Sequence, residues 1–376
     1  MKRRIKLLFV IENSCYGGGE KTFSLLLRGL PKEEFGLYCA ARPEGRFYDE
    51  VKDHCRFLPL DLSCGLDLRN IGRLKKLMAE NGIDVAHSQG ARADFYCALA
   101  AAKAGVRAVS TVAMPVDGFD VGFLRKKLYL ALNAAAEKRT HSFITVAGYI
   151  KDLLVHKHAV PAGRVDVIPN PAVLDGGAGF DASRVINELG LRGHIVLAAL
   201  GRLENQKGFD ILLEALPLLA KSRPELFEKI KCVIAGSGSL EADLRRRAAP
   251  LGDKVVFTGF RSDVRDFLAA ADVFVLPSRA EGQPLALLEA MAIGKPVLAA
   301  DLPGVTEIVT DGTNGALFKS GDPAALAERL AALLSDPAGA CRMGAKASET
   351  ASRFTLDNFI EGHAAFYHKV FPEAQR

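Results

Sequence analysis

Two glutamates separated by seven residues, Glu281 and Glu289, lie in the segment 278–296. The short apolar run 271–277 before it ends at a proline and predicts a buried strand. A glycine loop and a helix follow, with Pro284 predicted at the first helical position, where its missing N–H is not needed. Gly294 and Pro296 are predicted to end this helix. Such a turn directs free backbone N–H groups and a helix dipole at one spot, which suits an anion. Taken alone, however, the pair is more simply explained as a salt-bridged helix residue (Glu289) and a solvated loop residue (Glu281).

Two basic residues, Arg202 and Lys207, stand at the end of the predicted strand 194–203 and in the loop after it, before a helix. Two fixed cations facing a helix N-terminus suit a diphosphate, because arginine offers bidentate contacts and lysine a point charge. Simple surface solvation is the alternative for this pair. The sequence has no D-x-D triplet, which is the usual carboxylate clamp for a metal-bound sugar nucleotide.

Three further features are weaker signals. Glycines 17–19 follow the predicted strand 5–12 and allow close approach of a ligand to the backbone, although a flexible loop is the simpler interpretation. The pattern is not G-x-G-x-x-G, so a dinucleotide site is not supported. Gly236 and Gly238 form a lone G-x-G. His87 ends the predicted strand 83–90, where either a structural or a ligand-facing histidine is expected.

The elements that must position these residues alternate along the chain. Apolar runs predict strands and amphipathic stretches predict helices, with a linker rich in Gly, Ala and Asp between two such series. The predicted strands of the first series are 5–12, 36–41, 83–90 and 106–114, and its helices include 70–81, 94–105 and 124–140. The segment 164–171 completes this series. This alternation is typical of parallel doubly wound sheets, whose ligands collect at the carboxyl ends of the strands.

Several segments together resemble the retaining glycosyltransferases of family 4. They are GGGE (17–20), IPNP (168–171), GRLENQKG (201–208) and EGQPL followed by LLEAMAIGKPVLA. The resemblance covers nearly the whole chain and is strongest over 200–310. It implies an α/β protein of the GT-B fold: two facing Rossmann-like domains with parallel sheets, and a C-terminal helix that crosses back to the first domain.

The resemblance also implies a role for each candidate residue. Glu281 would contact the donor sugar hydroxyls and Glu289 the ribose hydroxyls. The expected catalytic residues are Arg202, Lys207 and Glu281; the donor-binding residues are Gly18, Gly19, Gly201, Gly236, Phe260, Arg261, Gly282, Gln283, Pro284, Leu285 and Glu289; the acceptor-side residues are Glu20 and His87. The chain departs from the family pattern at Ala113 and Gln89, where histidines are common, and at Pro171, where glycine is usual.

The predicted domains are an acceptor-binding domain over 1–173, a linker over 174–183, a nucleotide-sugar-binding domain over 184–353 and a helical tail over 354–376 that packs on the first domain. Residues 1–180 hold 26 Lys+Arg against 19 Asp+Glu, a net charge of +7, while the remainder has −2. A basic first half favours an anionic partner, and the basic helix start 125–127 suits lipid head groups or a solvated face. Seven scattered cysteines without C-x-x-C spacing predict a reducing compartment and no zinc site.

The predicted function is the metal-independent, retaining transfer of a hexosyl group from a UDP- or GDP-sugar to a saccharide or glycolipid acceptor. Lipopolysaccharide, capsule or glycolipid synthesis in bacteria would suit the family. No cofactor, no metal and no nucleic-acid partner are expected, and the predicted location is cytoplasmic, at or near the inner membrane face. The alternatives are a non-catalytic partner subunit and a nucleotide-sugar epimerase or phosphorylase on the same fold.

Overall fold

A computed structural model describes residues 3–12, 16–63, 66–114, 123–173 and 179–372. The chain forms two compact units. The first comprises Met1–Asn170 together with Asp357–Arg376, and the second comprises Pro171–Leu356.

In the described part of the first unit, seven strands form one parallel sheet. The strands are β1 (Ile5–Ile11), β2 (Phe35–Ala41), β3 (Arg56–Pro59), β4 (Val85–Gln89), β5 (Arg107–Val112), β6 (Ser142–Thr145) and β7 (Val165–Val167). The helices between them are α1 (Gly18–Gly29), α2 (Gly45–Val51), α3 (Arg69–Asn81), α4 (Ala91–Ala104), α5 (Phe123–Glu137) and α6 (Gly148–His156). The strand order is β3-β2-β1-β4-β5-β6-β7. β1 is buried along nearly its whole length, as expected for a strand covered on both faces.

The described second unit repeats this plan with six parallel strands. They are β8 (Ile195–Leu200), β9 (Ile230–Ala235), β10 (Val255–Gly259), β11 (Val273–Leu276), β12 (Val297–Asp301) and β13 (Ala316–Lys319). The helices are α7 (Ala182–Glu188), α8 (Phe209–Ser222), α9 (Pro224–Phe227), α10 (Glu241–Ala248), α11 (Val264–Ala269), α12 (Leu285–Ala292), α13 (Pro303–Thr306), α14 (Pro323–Ser335) and α15 (Pro337–Ala351). The order is β10-β9-β8-β11-β12-β13.

In both sheets the first strand of the unit lies between the second and the fourth. Successive connections therefore leave the first strand in opposite directions, and a crevice forms at the carboxyl ends of the two strands where the order reverses. These strands are β1 and β4 in the first unit, and β8 and β11 in the second. The predicted pair of Rossmann-like parallel sheets is confirmed.

The last helix, α16 (Leu356–Val370), belongs to the first unit, as predicted. Ile360 packs so closely on Gly29 of α1 that a Cβ at position 29 would lie 2.7 Å from it. Lys369 forms an ion pair with Asp166 at 2.8 Å. Within the described residues, no helix has both the length and the apolar character needed to span a membrane.

Three details differ from the sequence-based expectation. The short elements α2 and β3 were not predicted, since a few residues carry too little periodicity to be recognised. The segment 164–171, for which no element is predicted, contains the short strand Val165–Val167. The end of the expected linker is helical, because α7 begins at Ala182, while residues 174–178 of that linker lie outside the described part of the chain.

Candidate functional site

The turn after β8 carries the two predicted cations of the second unit. A single 3-10 turn, Asn205–Lys207, is followed by Gly208 with φ +64°, which caps the start of α8. A Cβ at position 208 would lie 2.1 Å from the carbonyl oxygen of Pro277, so only glycine allows this turn to pack against the end of β11. The stem of Lys207 lies along Gly201, where a Cβ would be 3.4 Å from it.

Lys207 and Glu281 are joined directly. Nζ of Lys207 lies 2.6 Å from Oε1 of Glu281, and the hydroxyl of Ser278 donates to the same oxygen at 2.6 Å. Glu281 is only 7% exposed, so this carboxylate is held inside the protein by a cation and a hydroxyl rather than by water. The solvated-loop interpretation of Glu281 is therefore wrong for this structure.

Arg202 is the second cation at this crevice. It is exposed, and within the described part of the chain its guanidinium has no hydrogen-bond or ion-pair partner. An unpaired guanidinium beside a paired lysine leaves five N–H donors free for an incoming anion. The predicted pair of cations is therefore divided between one bound to a carboxylate and one facing solvent.

The loop from Gly282 to Leu285 leads into α12. Pro284 is the residue before the helix and not its first residue, a shift of one position from the prediction. Pro284 has no side-chain acceptor, so the residue before α12 does not cap the first backbone N–H groups of this helix. Gln283 is buried next to them. Gly304 of α13 packs on this loop, and a Cβ there would lie 1.7 Å from the carbonyl oxygen of Gly282.

Glu289 is buried within α12 and is 4% exposed. The helix ends in a Schellman motif: the N–H of Lys295 bonds to the carbonyl of Ala290, the N–H of Gly294 bonds to that of Met291, and Gly294 has φ +73°. The predicted stop at Gly294 is confirmed. The position of Glu289 inside the helix is compatible with the ribose role that the resemblance implies, which stays a prediction.

The two glycines of the G-x-G turn after β9 have a packing role. A Cβ at Gly236, which has φ +138°, would lie 1.8 Å from the carbonyl oxygen of Gly201, and one at Gly238 would lie 2.5 Å from that of Leu203. These glycines allow the turns after β8 and β9 to touch backbone to backbone. A direct contact of Gly236 with the donor stays a prediction.

Phe260 and Arg261, after β10, differ in exposure. Phe260 is 54% exposed, whereas the guanidinium of Arg261 is buried and forms bidentate contacts with Glu188 of α7 at 2.8 and 3.0 Å. It also bonds to Asp263 at 2.6 and 2.8 Å. These hydrogen bonds raise the pKa of Arg261 and hold that of Asp263 at about 2. With its donors directed at two carboxylates, Arg261 stabilises this segment, and the donor-binding role of Phe260 stays a prediction.

In the first unit, the glycine turn starts α1. Gly17 is the residue before the helix, and Glu20 reaches back so that its carboxylate accepts the N–H of Gly17 at 2.9 Å. The predicted acceptor-side residue Glu20 therefore has a capping role in this structure. A Cβ at Gly19 would lie 3.2 Å from the amide of Gln89, which brings the turn next to the end of β4.

His87 lies inside the first unit rather than on its surface. It is fully buried, and its ring nitrogens lie 2.7 Å from the hydroxyls of Tyr367 and Thr111. Burial, together with nearby His363, holds its pKa well below the ordinary value, so the ring is neutral. Both ring nitrogens of His87 are bonded to hydroxyls of the protein, and its acceptor-side role stays a prediction. Its geometry is that of a structural histidine.

Some sequence-based expectations fall at the edge of the described residues. Ala113 follows β5 and is described, but residues 115–122 after it are not. Of the basic helix start 125–127, the side chain of Lys127 is described and exposed. Among the described residues, no group of three His, Cys, Asp or Glu side chains is placed to hold a metal ion.

The structure brings the predicted residues Gly201, Lys207 and Glu281 together at the crevice of the second unit, and the sequence reasoning missed several residues that hold them there. They are Gly208, Asp210, Ser278, Arg279 and Gly304. The only available signal was their position inside or next to the quoted motifs, since their partners are distant in sequence.

Two family models match the chain. The model described as Glycosyltransferase Family 4 matches residues 16–175, and the model described as Glycosyl transferases group 1 matches residues 194–336. Together they leave out only the N-terminus, the segment between the two matches and the C-terminal helices.

Individual proteins agree with these models. An Escherichia coli protein named UDP-Gal:alpha-D-GlcNAc-diphosphoundecaprenol alpha-1,3-galactosyltransferase is 29% identical over 308 residues, which cover 78% of each chain. The Rhizobium meliloti lipopolysaccharide core biosynthesis mannosyltransferase LpsB is 28% identical over 264 residues, covering 66% of this chain and 74% of that one. The structure of Anabaena HepE in complex with UDP-glucose has a TM-score of 0.82 and 21% identity, over 97% of this chain and 100% of that one. The shared fold is GT-B.

Proposed function

Since this chain belongs to the group 1 glycosyltransferases of family 4 and is a glycosyltransferase that uses a nucleotide sugar, we propose that it is a retaining, metal-independent hexosyltransferase. Its donor would be a UDP- or GDP-sugar bound to the second unit, with UDP the first choice. Support for UDP comes from the UDP-Gal in the name of the Escherichia coli relative and from the UDP-glucose bound to HepE. The acceptor would be a saccharide or a glycolipid.

The observation that carries the proposal is the arrangement of charge at the crevice between β8 and β11. The exposed guanidinium of Arg202, the ammonium of Lys207 and the N-terminus of α12 all lie after these two strands. Preorganised donors are most effective where negative charge develops in the transition state. Here that charge would be the leaving nucleoside diphosphate.

The reaction balances without a further reagent. The bond between the anomeric carbon and the diphosphate oxygen breaks, and its electron pair leaves with the nucleoside diphosphate. The acceptor hydroxyl bonds to the anomeric carbon, and its proton passes to a phosphate oxygen of the leaving nucleoside diphosphate. Arg202 and Lys207 would stabilise the departing diphosphate, which is the task that a divalent metal performs in other transferases. Glu281 would accept hydrogen bonds from the donor sugar hydroxyls and Glu289 from the ribose hydroxyls.

We further propose that the acceptor is lipid-linked and that the enzyme works at the cytoplasmic face of the inner membrane. The support is the net charge of +7 on residues 1–180 and the lipid-linked acceptor in the name of the Escherichia coli relative. Flotation of the protein with liposomes that contain anionic lipids, but not with neutral ones, is the expected result. Failure to float with either would contradict the membrane assignment.

The donor assignment is tested by thermal shift with UDP, GDP, ADP and CMP, on the wild type and on Arg202→Ala. A ligand at a hundred times its dissociation constant adds about 2.7 kcal/mol to the free energy of unfolding. We expect one nucleoside diphosphate to raise the melting temperature of the wild type and to do so much less in Arg202→Ala. Arg342→Ala is the matched control, because Arg342 is an exposed arginine of the same unit with only a 3.9 Å ion pair. No shift with any nucleotide would contradict the proposal.

A further inference from the structure

Arg279 makes an unusually complete set of contacts for a residue that is one-third exposed. Its guanidinium forms a two-pronged ion pair with Asp210, with Nη1 2.7 Å from Oδ1 and Nη2 2.6 Å from Oδ2. Nη1 also donates to the carbonyl of Asn205 at 2.9 Å, and the backbone N–H of Arg279 donates to the carbonyl of Gln206 at 2.8 Å. One residue of the loop after β11 thus holds both the turn after β8 and the first turn of α8.

These contacts belong to a series of hydrogen bonds and ion pairs between two short segments. Residues 205–207 lie beside residues 279–281, and Nε2 of Gln206 donates a further hydrogen bond to the carbonyl of Ala280 at 2.9 Å. The last contact of the series is the ion pair of Lys207 with Glu281 at 2.6 Å. Arg279 lies two residues before Glu281 in one segment, and its partner Asn205 lies two residues before Lys207 in the other.

The ion pair of Lys207 with Glu281 cannot be the contact that holds the two segments together during turnover. An ammonium has three N–H donors, and a diphosphate beside Lys207 would take some of them from Glu281. The contacts of Arg279 involve neither charged group. They can therefore persist while Lys207 and Glu281 exchange partners.

We propose that Arg279 is a positioning residue which, through Asp210 and the turn 205–207, keeps Lys207 and Glu281 at the separation that the donor requires. The inference rests on the proposed donor site at these two residues. Arginine is needed here because its planar guanidinium bonds to a carboxylate and a backbone carbonyl at once. A lysine ammonium cannot make both contacts with the same geometry.

The surroundings of Asp210 favour a persistent pair. Burial alone would raise the pKa of this carboxyl, and the hydrogen bonds and charge of Arg279 more than offset that, so the pKa lies below its ordinary value. Asp210 also lies in the first turn of α8, where a negative charge is favoured by the helix dipole. Partly buried, bidentate pairs of this kind are the ones whose loss has measurable consequences.

The test measures kcat, the KM for donor and the dissociation constant of UDP for Arg279→Met and Arg279→Lys. We expect kcat to fall by about 10²-fold in Arg279→Met, because a misplacement of about 1 Å at a reacting group has that effect. The affinity for UDP should change less, since base and ribose contacts would remain. Arg279→Lys should recover only part of the loss. Asp210→Asn, which keeps the shape of the side chain, should lower kcat in the same way and is a second variant should Arg279→Met not fold.

A double-mutant cycle separates positioning from general stability. If Arg279 acts through Lys207, adding Arg279→Met to Lys207→Ala should lower kcat little further, because the positioned cation is already absent. The matched control is Arg329→Met. Arg329 is similarly exposed in the same unit and also bonds to an aspartate and a backbone carbonyl, those of Asp311 and Leu317; its loss should leave kcat unchanged.

Each outcome of these measurements is decisive. A wild type that transfers sugar, with Arg279→Met and Asp210→Asn equally active, would overturn the positioning role alone. Fully additive losses of kcat in the cycle would also overturn it, because they indicate that Arg279 does not act through Lys207. A wild type that transfers no sugar from any UDP- or GDP-sugar would overturn the proposed function, and the positioning role with it.

Discussion

Nδ1 of His87 on β4 lies 2.7 Å from the hydroxyl of Tyr367 on α16, although the two residues are 280 positions apart in the sequence. Both side chains are fully buried, and Nε2 of the same ring lies 2.7 Å from the hydroxyl of Thr111 on β5. A single imidazole thus links two neighbouring strands of the first sheet to the last helix of the chain. The attachment of α16 therefore includes a specific polar contact as well as apolar packing.

Replacing Tyr367 by phenylalanine should weaken this attachment. The change leaves a buried nitrogen of His87 without its partner, which lowers the free energy of unfolding by about 1–3 kcal/mol. Urea denaturation measures that change, and hydrogen exchange should show faster exchange of the amides of α16. Tyr38→Phe is the control, because no hydrogen bond of the Tyr38 hydroxyl is found among the described residues. Equal stabilities of the two variants would contradict the role of the His87 contact.

His363, which stacks on His87 with ring centroids 6.3 Å apart, gives a pH-dependent expectation. Burial lowers its pKa to about 4, against about 6.5 in an unfolded chain. Between these values the unfolded state binds more protons, so stability should fall as the pH is lowered from about 6.5 to about 4. His363→Leu should flatten this slope by up to about 1.4 kcal/mol per pH unit, whereas exposed His156→Leu should not. Denaturation at several pH values between 4 and 7 measures it.

Asp94 of α4 has the opposite pH dependence. Its carboxylate is buried beside a small cavity also lined by Glu137 and His158, and it accepts from the hydroxyl of Ser88 at 2.6 Å. Burial raises its pKa to about 7; hydroxyls of Ser88 and Ser110 act against this rise and the charge of Glu137 adds to it. Here the folded state binds more protons between about pH 4 and 7, so this group alone makes stability fall as the pH rises through that range.

Asp94→Asn should therefore raise stability at pH 7 relative to the wild type and remove this contribution. The free energy of unfolding of this variant should then fall more steeply than that of the wild type as the pH is lowered, because only the buried histidines contribute. Denaturation of the variant at pH 5 and at pH 7 measures both effects. Asp152→Asn, an exposed change on α6, should leave the pH profile unaltered. A variant of Asp94 with the wild-type profile would show that this carboxyl is not the group that titrates.

Removal of either member of the Lys207–Glu281 pair should lower turnover. Lys207→Ala removes a cation placed for the leaving diphosphate, and by analogy with the loss of one oxyanion donor we expect kcat to fall about a hundredfold. Glu281→Gln keeps the shape and loses the charge, and it should weaken donor use. Steady-state kinetics with a UDP-sugar measures both. Lys221→Ala, at the exposed end of α8, serves as the control, and near-normal turnover in Lys207→Ala would contradict the assignment.

Gly304→Ala should displace the loop from Gly282 to Leu285, on which Gly304 packs. Its Cβ would lie 1.7 Å from the carbonyl oxygen of Gly282, so the loop that carries Glu281 must move. Overpacking of this kind costs about 1–3 kcal/mol of stability, and we expect a higher KM for the donor as well. Gly72→Ala on α3, where a Cβ meets nothing within 4 Å, should leave the KM unchanged and should not lower the stability, because alanine favours a helix more than glycine does. Unaltered kinetics in Gly304→Ala would indicate that the loop tolerates the movement.

Much of the fold and part of the site follow from local sequence. Apolar runs bounded by glycine and proline identified the strands β1, β4, β8 and β11, because such patterns depend on neighbouring residues only. The same holds for the helix stop at Gly294, which requires a left-handed backbone that glycine adopts freely. Motifs next to these strand ends located Arg202, Lys207 and Glu281, since ligands of doubly wound sheets bind at the carboxyl ends of strands.

The tertiary structure decided which of these residues meet. Strand order is not written in any local pattern, and the adjacency of β8 and β11 is what brings Lys207 to Glu281 across 74 positions of sequence. The same long-range placement gave different results at other positions: it directed Arg261 at two carboxylates and enclosed His87 beneath α16. Local sequence determines the elements and their ends, because their backbone preferences are short-range. Partners of side chains are determined by burial, since a buried charge or ring nitrogen must be satisfied by whichever groups the folded chain places next to it.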